Sequence, residues 1–254
     1  MKLQFHILIP ARLKSTRLPN KPLLDICGKT MIERVYDCAI RSSATSITIV
    51  TGDDLIIQEA NSFGANVCKS NSEHRSGTDR IAEAAKLMEF DDDDIILNLQ
   101  SDEPGTPIEI IEQVVEKLSK TPEATISSVC EEITNFEDYQ NPNVVKVVRD
   151  MNDFALYFSR APIPFNRSAS NSNQDRDRSL NAFRHIGLYG YRVHCLKRLA
   201  RKDSISMENM EMLEQLRALW YGERIIVSDA VTSPGLSIDT KEDLEKAKHY
   251  FASL

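Results

Sequence analysis

The chain has 254 residues, a formal net charge of −7, and 41% hydrophobic and 27% charged side chains, the composition of a soluble globular protein. The acidic balance argues against a nucleic-acid binder. The N-terminal apolar run is too short for a signal peptide or a membrane span, so a cytoplasmic protein with no membrane partner is expected.

In chain order, "FHILI" (5–9) predicts a buried strand and residues 30–40 an amphipathic helix with Met31, Val35 and Cys38 on one face. Residues 46–50 predict a strand, 54–63 a helix ended by Gly64, and 76–88 a helix opened by Ser76 and Asp79 at capping-box spacing. Residues 94–99 form a continuous apolar strand, and Pro107 opens a helix carrying Ile110, Ile111, Val114, Val115 and Leu118. This alternation predicts a mostly parallel α/β sheet covered on both faces, with ligands at the carboxyl ends of its strands.

From about residue 125 the texture changes. Residues 144–150, 154–165 and 183–193 are strand-like, a helical signal returns at 193–201, and the polar stretch 166–180 reads as a mobile loop. The expected division is an α/β domain of residues 1–124 and 205–254, with a smaller, partly antiparallel subdomain of residues 125–204 inserted in it. Residues 207–220 then predict one helix with a Met210–Leu213–Leu216–Trp220 stripe. "RIIVSDAV" follows as a strand, and 240–251 as a last helix capped by Thr240. Cys27, Cys38, Cys68, Cys130 and Cys195 lie far apart, match no metal spacing and are expected as reduced thiols.

Three stretches carry chemistry. The proline-bracketed loop "LIPARLKSTRLPNKPLL" (8–24) sets Arg12, Lys14, Arg17 and Lys21 just past the first strand. Neither GxxxxGK[ST] nor GxGxxG occurs, yet such a cluster suits a polyphosphate: arginine forks two oxygens and lysine adds a compact charge. From the residues alone, a solvated surface loop is the alternative. "QSDEP" (100–104) places Asp102 and Glu103 beyond a buried strand, either as magnesium ligands or as an acidic turn. In "SPGLSIDTKED" (233–243), Asp239 precedes a helix that Thr240 could cap alone.

The motifs "IPARxxSTRLPxKPLxxIxGxxMI", "EHRSGTDRIAEA", "QxDEP", "NPNVVKVV", "ALYFSRAPIP", "FRHIGLYGYR", "EMLEQLRALWYGE" and "PGxxxDTKEDLE" occur in the order found in the CMP-Kdo synthetase (3-deoxy-manno-octulosonate cytidylyltransferase) family. The chain resembles that family from about residue 5 to residue 250. The resemblance implies the Rossmann-like α/β fold of these nucleotidyltransferases, a homodimer with the smaller subdomain serving sugar binding and dimerisation, CTP and an acidic sugar as substrates, Mg²⁺ as cofactor, and a place in lipopolysaccharide assembly. It implies that Arg12, Arg17 and Lys21 meet the triphosphate, with Ser76, Gly77 and Thr78 near the ribose and cytosine. Asp102 and Asp239 are the implied metal ligands, forming the catalytic set with Arg12 and Lys21. For the sugar it implies Gln100, Arg160, His185, Tyr189, Glu211 and Gln215, with Arg160 on the acid's carboxylate and Glu211 and Gln215 on one helix face.

Family members commonly carry glycine where this chain has Asn20, Ser101 and Ser237. Asparagine tolerates the left-handed conformation, whereas Ser101 bears on which acid sugar is used. The implied reaction is attack of the sugar's anomeric hydroxyl on the α-phosphorus of CTP, giving CMP-sugar and pyrophosphate, by positioning and charge stabilisation. The nearest alternative is an enzyme for sialate or an amino-substituted sugar. The alternative of a different class is a non-catalytic nucleotide-binding module.

Overall fold

A computed structural model describes residues 3–15, 18–71, 74, 77–167 and 180–253. Arg17, Ser76 and all but the ends of the polar stretch 166–180 lie outside the described residues. The first half runs β1 (His6–Pro10), a single 3-10 turn (Lys21–Leu23), β2 (Asp25–Ile26), β3 (Lys29–Thr30), α1 (Met31–Ala39), β4 (Ser46–Thr51), α2 (Asp54–Ser62), β5 (Asn66–Lys69), α3 (Gly77–Leu87), β6 (Ile95–Asn98) and α4 (Ile108–Lys120). The second half runs β7 (Ile126–Glu132), α5 (Phe136–Gln140), β8 (Lys146–Arg149), β9 (Ala155–Ser159), β10 (Phe183–Arg192), α6 (Val193–Leu199), α7 (Ser206–Glu211), α8 (Gln215–Trp220), β11 (Ile225–Asp229) and α9 (Lys241–Ala252).

Pleating decides the layers. Ile7 and Ile9 of β1 pack with Ile32, Val35, Ile110 and Val114 on one face, while Leu8 packs with Ile81, Ala85 and Leu196 on the other. A strand covered on both faces needs apolar residues at both parities, which is why "FHILI" shows no alternation. The sheet order is β11-β7-β10-β6-β1-β4-β5, parallel except where β10 runs antiparallel to β7 and β6. The mostly parallel α/β sheet expected from sequence is present. Residues 125–204 give β7 and β10 to this sheet, with the β8–β9 hairpin paired to β10 on its flank. Because β4 and β6 lie on opposite sides of β1, the chain reverses its winding there. A crevice opens at the carboxyl ends of β1 and β6.

Two strands of the main sheet carry no clear signal in the sequence, and neither do the two-residue strands β2 and β3, which pair with each other. The short edge strand β5 is half exposed, and β7 interrupts its apolar run with Ser127 and Ser128, both fully buried. The Ser127 hydroxyl donates to the Val114 carbonyl at 2.7 Å, so its burial leaves no orphaned donor. One expected element is wrong: 207–220 is not a single helix. Met212 turns left-handed (φ 52°, ψ 49°) and separates α7 from α8. The break lets Leu213 and Leu216 bury in the core while Glu211, just before it, bonds to β9. Met210 and Trp220 are exposed, so the expected apolar stripe does not form. Glu211 and Gln215 consequently stand on two helices rather than on one face. Among the described residues, no helix is long and apolar enough to cross a membrane.

Candidate active site

The loop after β1 is pinned as it leaves the sheet. Ala11 N donates to the Val50 carbonyl at 3.0 Å, and Leu13 N to Asp53 Oδ2 at 2.9 Å. Asn20 adopts the left-handed conformation (φ 54°, ψ 31°) that asparagine accepts at little cost, and the 3-10 turn after it delivers Lys21 inward. Ser101 and Ser237 have no positive φ, so their backbone does not demand glycine.

Lys21 meets both acidic loops. Its Nζ lies 2.6 Å from Asp102 Oδ2 and 3.0 Å from Asp239 Oδ1, with the lysine side chain largely buried. The two carboxylates come from the turns after β6 and β11, which touch backbone to backbone. Ile238 N donates to the Asp102 carbonyl at 3.0 Å. A Cβ at Gly235, whose φ is +84°, would stand 2.1 Å from the Gly105 carbonyl oxygen; one at Gly105 would stand 2.9 Å from Leu236 N. Only bare backbone lets the loops approach this closely. Thr240 caps α9 in a capping box with Asp243, so Asp239 is not needed as the cap.

Two cavities meet at this carboxylate pair. One, of about 640 Å³, is lined by Arg12, Lys14, Lys21, Gly77, Gln100 and Asp102. Arg80 joins them, although the sequence reading passed over it. It is buried, its Nη1 donates to Ser70 Oγ at 2.6 Å, and its place three residues past Gly77, in the first turn of α3, was the available signal. Burial lowers its pKa from the ordinary guanidinium range. Thr78, in the first turn of α3 beside Gly77, is buried.

The second cavity, of about 430 Å³, lies across the pair and is lined by Glu103, Arg184, His185, Tyr189, Gln215, Ser237 and Asp239. His185 Nε2 is 2.9 Å from Ser128 Oγ, and its ring meets the edge of Phe158 at 4.9 Å and Tyr189 at 5.2 Å. With no compensating carboxylate among the described residues, burial pushes its pKa down to about 3. Burial likewise raises the Tyr189 hydroxyl well above its ordinary value. Burial, reinforced by the charge of Asp102, pushes Glu103 up to about 8. This cavity is therefore lined chiefly by neutral polar groups, with Arg184 at its rim.

The expected sugar residues do not all gather here. Gln100 lies in the cationic cleft beside Gly77. Arg160 and Glu211 stand behind the second cavity rather than in its lining. Arg160 Nε donates to the Glu211 carbonyl at 2.6 Å and its Nη1 to the Pro142 carbonyl at 2.9 Å. The Glu211 carboxylate accepts from Ser159 Oγ at 2.6 Å and Arg160 N at 2.9 Å. Lys146, fully buried, completes this wall by donating to the carbonyls of Asn141, Val144 and Arg160 at 2.9, 2.7 and 2.7 Å. Arg184, set against Glu131, is the arginine that reaches the cavity, and no motif argument had singled it out.

Cations able to hold polyphosphate on one side of a carboxylate pair, and a polar cavity on the other, form an arrangement that can bring two substrates to one phosphorus, as a nucleotidyltransferase requires. A family model described as cytidylyltransferase matches residues 6–225. The chain is 50% identical over 246 residues to the 3-deoxy-manno-octulosonate cytidylyltransferase of Francisella tularensis subsp. novicida, covering 97% of this chain and 98% of the relative. It is 45% identical over 251 residues to the enzyme of the same name from Coxiella burnetii, covering 98% and 100%. A solved structure of CMP:2-keto-3-deoxy-manno-octonic acid synthetase complexed with CTP matches with a TM-score of 0.88 at 34% identity, covering 99% of each chain. The chain belongs to the CMP-Kdo synthetase family of cytidylyltransferases.

Gly235→Ala should cost about 1–3 kcal/mol in urea titration, the range for backbone strain of this kind, and should separate the two carboxylates. An alanine variant with parental stability and rate would show that the loop contact is dispensable. A second outcome concerns pH. The folded pKa of His185 lies below its ordinary 6.5, so its contribution to stability is present above that value and is lost as pH falls toward 3. A His185→Gln protein should therefore lose stability less steeply than the parent between pH 6.5 and about 4. Parallel stability curves would mean that the imidazole titrates freely.

Proposed function

We propose that the protein transfers the cytidylyl group of CTP to the anomeric hydroxyl of an acidic 3-deoxy-octulosonate sugar, releasing pyrophosphate and supplying the activated sugar for lipopolysaccharide biosynthesis. The observation that carries this reading is the pair Asp102–Asp239, held at the junction of a cationic cleft and a neutral polar cavity. The cleft suits the triphosphate, with Arg12 and Lys21 opposite the leaving pyrophosphate and Arg80 beneath it. The cavity suits a polyol, with His185, Tyr189 and Gln215 as hydrogen-bonding partners and Arg184 as a cation for the acid's carboxylate. Arg160 and Glu211 support that cavity from behind.

Mg²⁺ fits the carboxylate pair. In the structure a cation, the Lys21 ammonium, already sits between Asp102 and Asp239, and among the described residues no third histidine, cysteine or acidic side chain joins them. Magnesium commonly takes one or two carboxylates and completes its shell with water and substrate phosphates. Bound there, it would neutralise phosphate charge and acidify the sugar hydroxyl. The chain's own part is to hold the hydroxyl in line with the α-phosphorus and to stabilise the charge leaving with pyrophosphate, as in other phosphoryl-type transfers. The oxygen of the sugar forms the new P–O bond as the α–β bridge breaks, and its proton leaves to water. A cytoplasmic homodimer built partly through residues 125–204 completes the proposal.

Pyrophosphate release with CTP and a panel of acidic sugars tests the assignment. The 3-deoxy-octulosonate should be the best substrate, and no release with any of them would refute the reading. Asp102→Asn and Asp239→Asn should each slow turnover by roughly a hundredfold or more, the kinetic size of a few kcal/mol of lost charge stabilisation, with unchanged circular dichroism. Near-parental rates in both, or full turnover in excess chelator, would remove the metal from the pair. Lys21→Ala should raise the KM for CTP much more than that for sugar. A change confined to the sugar would put Lys21 on the wrong side of the reaction.

A further inference from the structure

β10 loses register opposite a single residue of β7. Ile186 pairs with Val129 and Gly190 with Ser127, so the excursion from Gly187 to Tyr189 faces Ser128 alone. Ser128 is fully buried, and its Oγ lies 3.0 Å from the Ile186 carbonyl oxygen, 2.9 Å from the Leu188 carbonyl oxygen and 2.9 Å from His185 Nε2.

A hydroxyl has one hydrogen and two lone pairs, and carbonyl oxygens only accept. If that hydrogen points to Nε2, two carbonyl oxygens press on Ser128 lone pairs at hydrogen-bond distance with no hydrogen between them. If it points to a carbonyl, only lone pairs face Nε2, and a contact of 2.9 Å then needs the hydrogen on the imidazole. The second arrangement leaves one carbonyl contact without a hydrogen, where the first leaves two, and is the better satisfied. A neutral imidazole carries a single N–H, so its other nitrogen keeps a bare lone pair. Burial holds this ring neutral. Nδ1 has no hydrogen-bond partner among the described residues and is not one of their buried unpaired polar atoms. It therefore opens onto the cavity that the ring lines.

We infer that Ser128 is a positioning residue that holds His185 as the Nε2–H tautomer, so that Nδ1 stands as a hydrogen-bond acceptor for a hydroxyl of the acidic sugar. The edge of Phe158 and the ring of Tyr189 fix the plane in which that lone pair points. A second-strand serine, rather than the ligand, thus sets what the imidazole can recognise: a donor group, not an acceptor. The inference rests on the proposed assignment of this cavity to the sugar.

Long-range proton–nitrogen correlation spectra of the full-length, ¹⁵N-histidine-labelled protein near neutral pH test it directly, with the His185 signals identified by their loss in His185→Gln. The expected spectrum shows Nε2 protonated and Nδ1 bare; a protonated Nδ1 in the parent protein overturns the inference. Ser128→Ala should yield mixed tautomers and raise the sugar KM about three- to tenfold, the size of one neutral hydrogen bond, with kcat and the KM for CTP within about twofold. Ser128→Thr, which keeps the hydroxyl, should restore both readouts. A Ser128→Ala protein with a single Nε2–H tautomer and an unchanged sugar KM also overturns it. Should the alanine variant not fold, the parent spectrum still decides the tautomer. Failure of the cavity assignment looks different: the parent spectrum shows bare Nδ1, yet His185→Gln leaves the sugar KM unchanged.

Discussion

The turns after β6 and β11 meet backbone to backbone at Gly105 and Gly235, and this contact sets where two carboxylates stand. Asp102 and Asp239 would repel if nothing fixed them. Their loops are held by a main-chain hydrogen bond from Ile238 to Asp102 and by burial of Ile238 with Leu18, Ile26, Met31 and Leu244. The same apolar cluster includes Leu18, at the start of the stretch that turns through Asn20 to Lys21. Apolar burial thus brings a cation and two anions to one point, and their mutual attraction then needs to supply only the final geometry.

The surroundings differ in electrical character on either side of that point. On the side of Arg12, Lys14 and Arg80 the groups are cations, two exposed and one buried. On the side of His185 and Tyr189 burial keeps the imidazole and the phenol neutral. Glu103, adjacent to Asp102, shows the transition: the charge that makes Asp102 useful to a cation raises the cost of ionising its neighbour.

Much of this was legible in the chain. Strands buried on both faces announce themselves as unbroken apolar runs, and capping residues such as Thr240 mark helix starts. The cationic loop, "QSDEP" and the segment before α9 could be placed at strand ends from local pattern alone. What could not be read depends on contacts between distant segments. β7 hides two serines in its interior, and their hydroxyls are satisfied by groups far away in sequence. The run 207–220 has helical periodicity throughout, yet bonds from Glu211 to Ser159 and Arg160 favour a break at Met212. Arg160 looked like a free anion-binding arginine, but two of its nitrogens serve backbone carbonyls. Arg184 looked like an ordinary strand residue, and only the sheet pairing brings it to the cavity.

Lys146 carries a further consequence. Its ammonium has three donors, and the three carbonyls it meets satisfy all of them, so a buried charge stands without a carboxylate partner in those bonds. This forms a tripod joining the turn at 141–144 to the end of β9. Methionine would fill the space but leave three oxygens unpaired, and arginine's planar head could not reproduce the three directions. The wall behind the second cavity is thereby stiffened through directional polar bonds rather than oily side chains. For the proposed sugar, a polyol, this arrangement would keep the frame of the chamber rigid while its surface stays wettable.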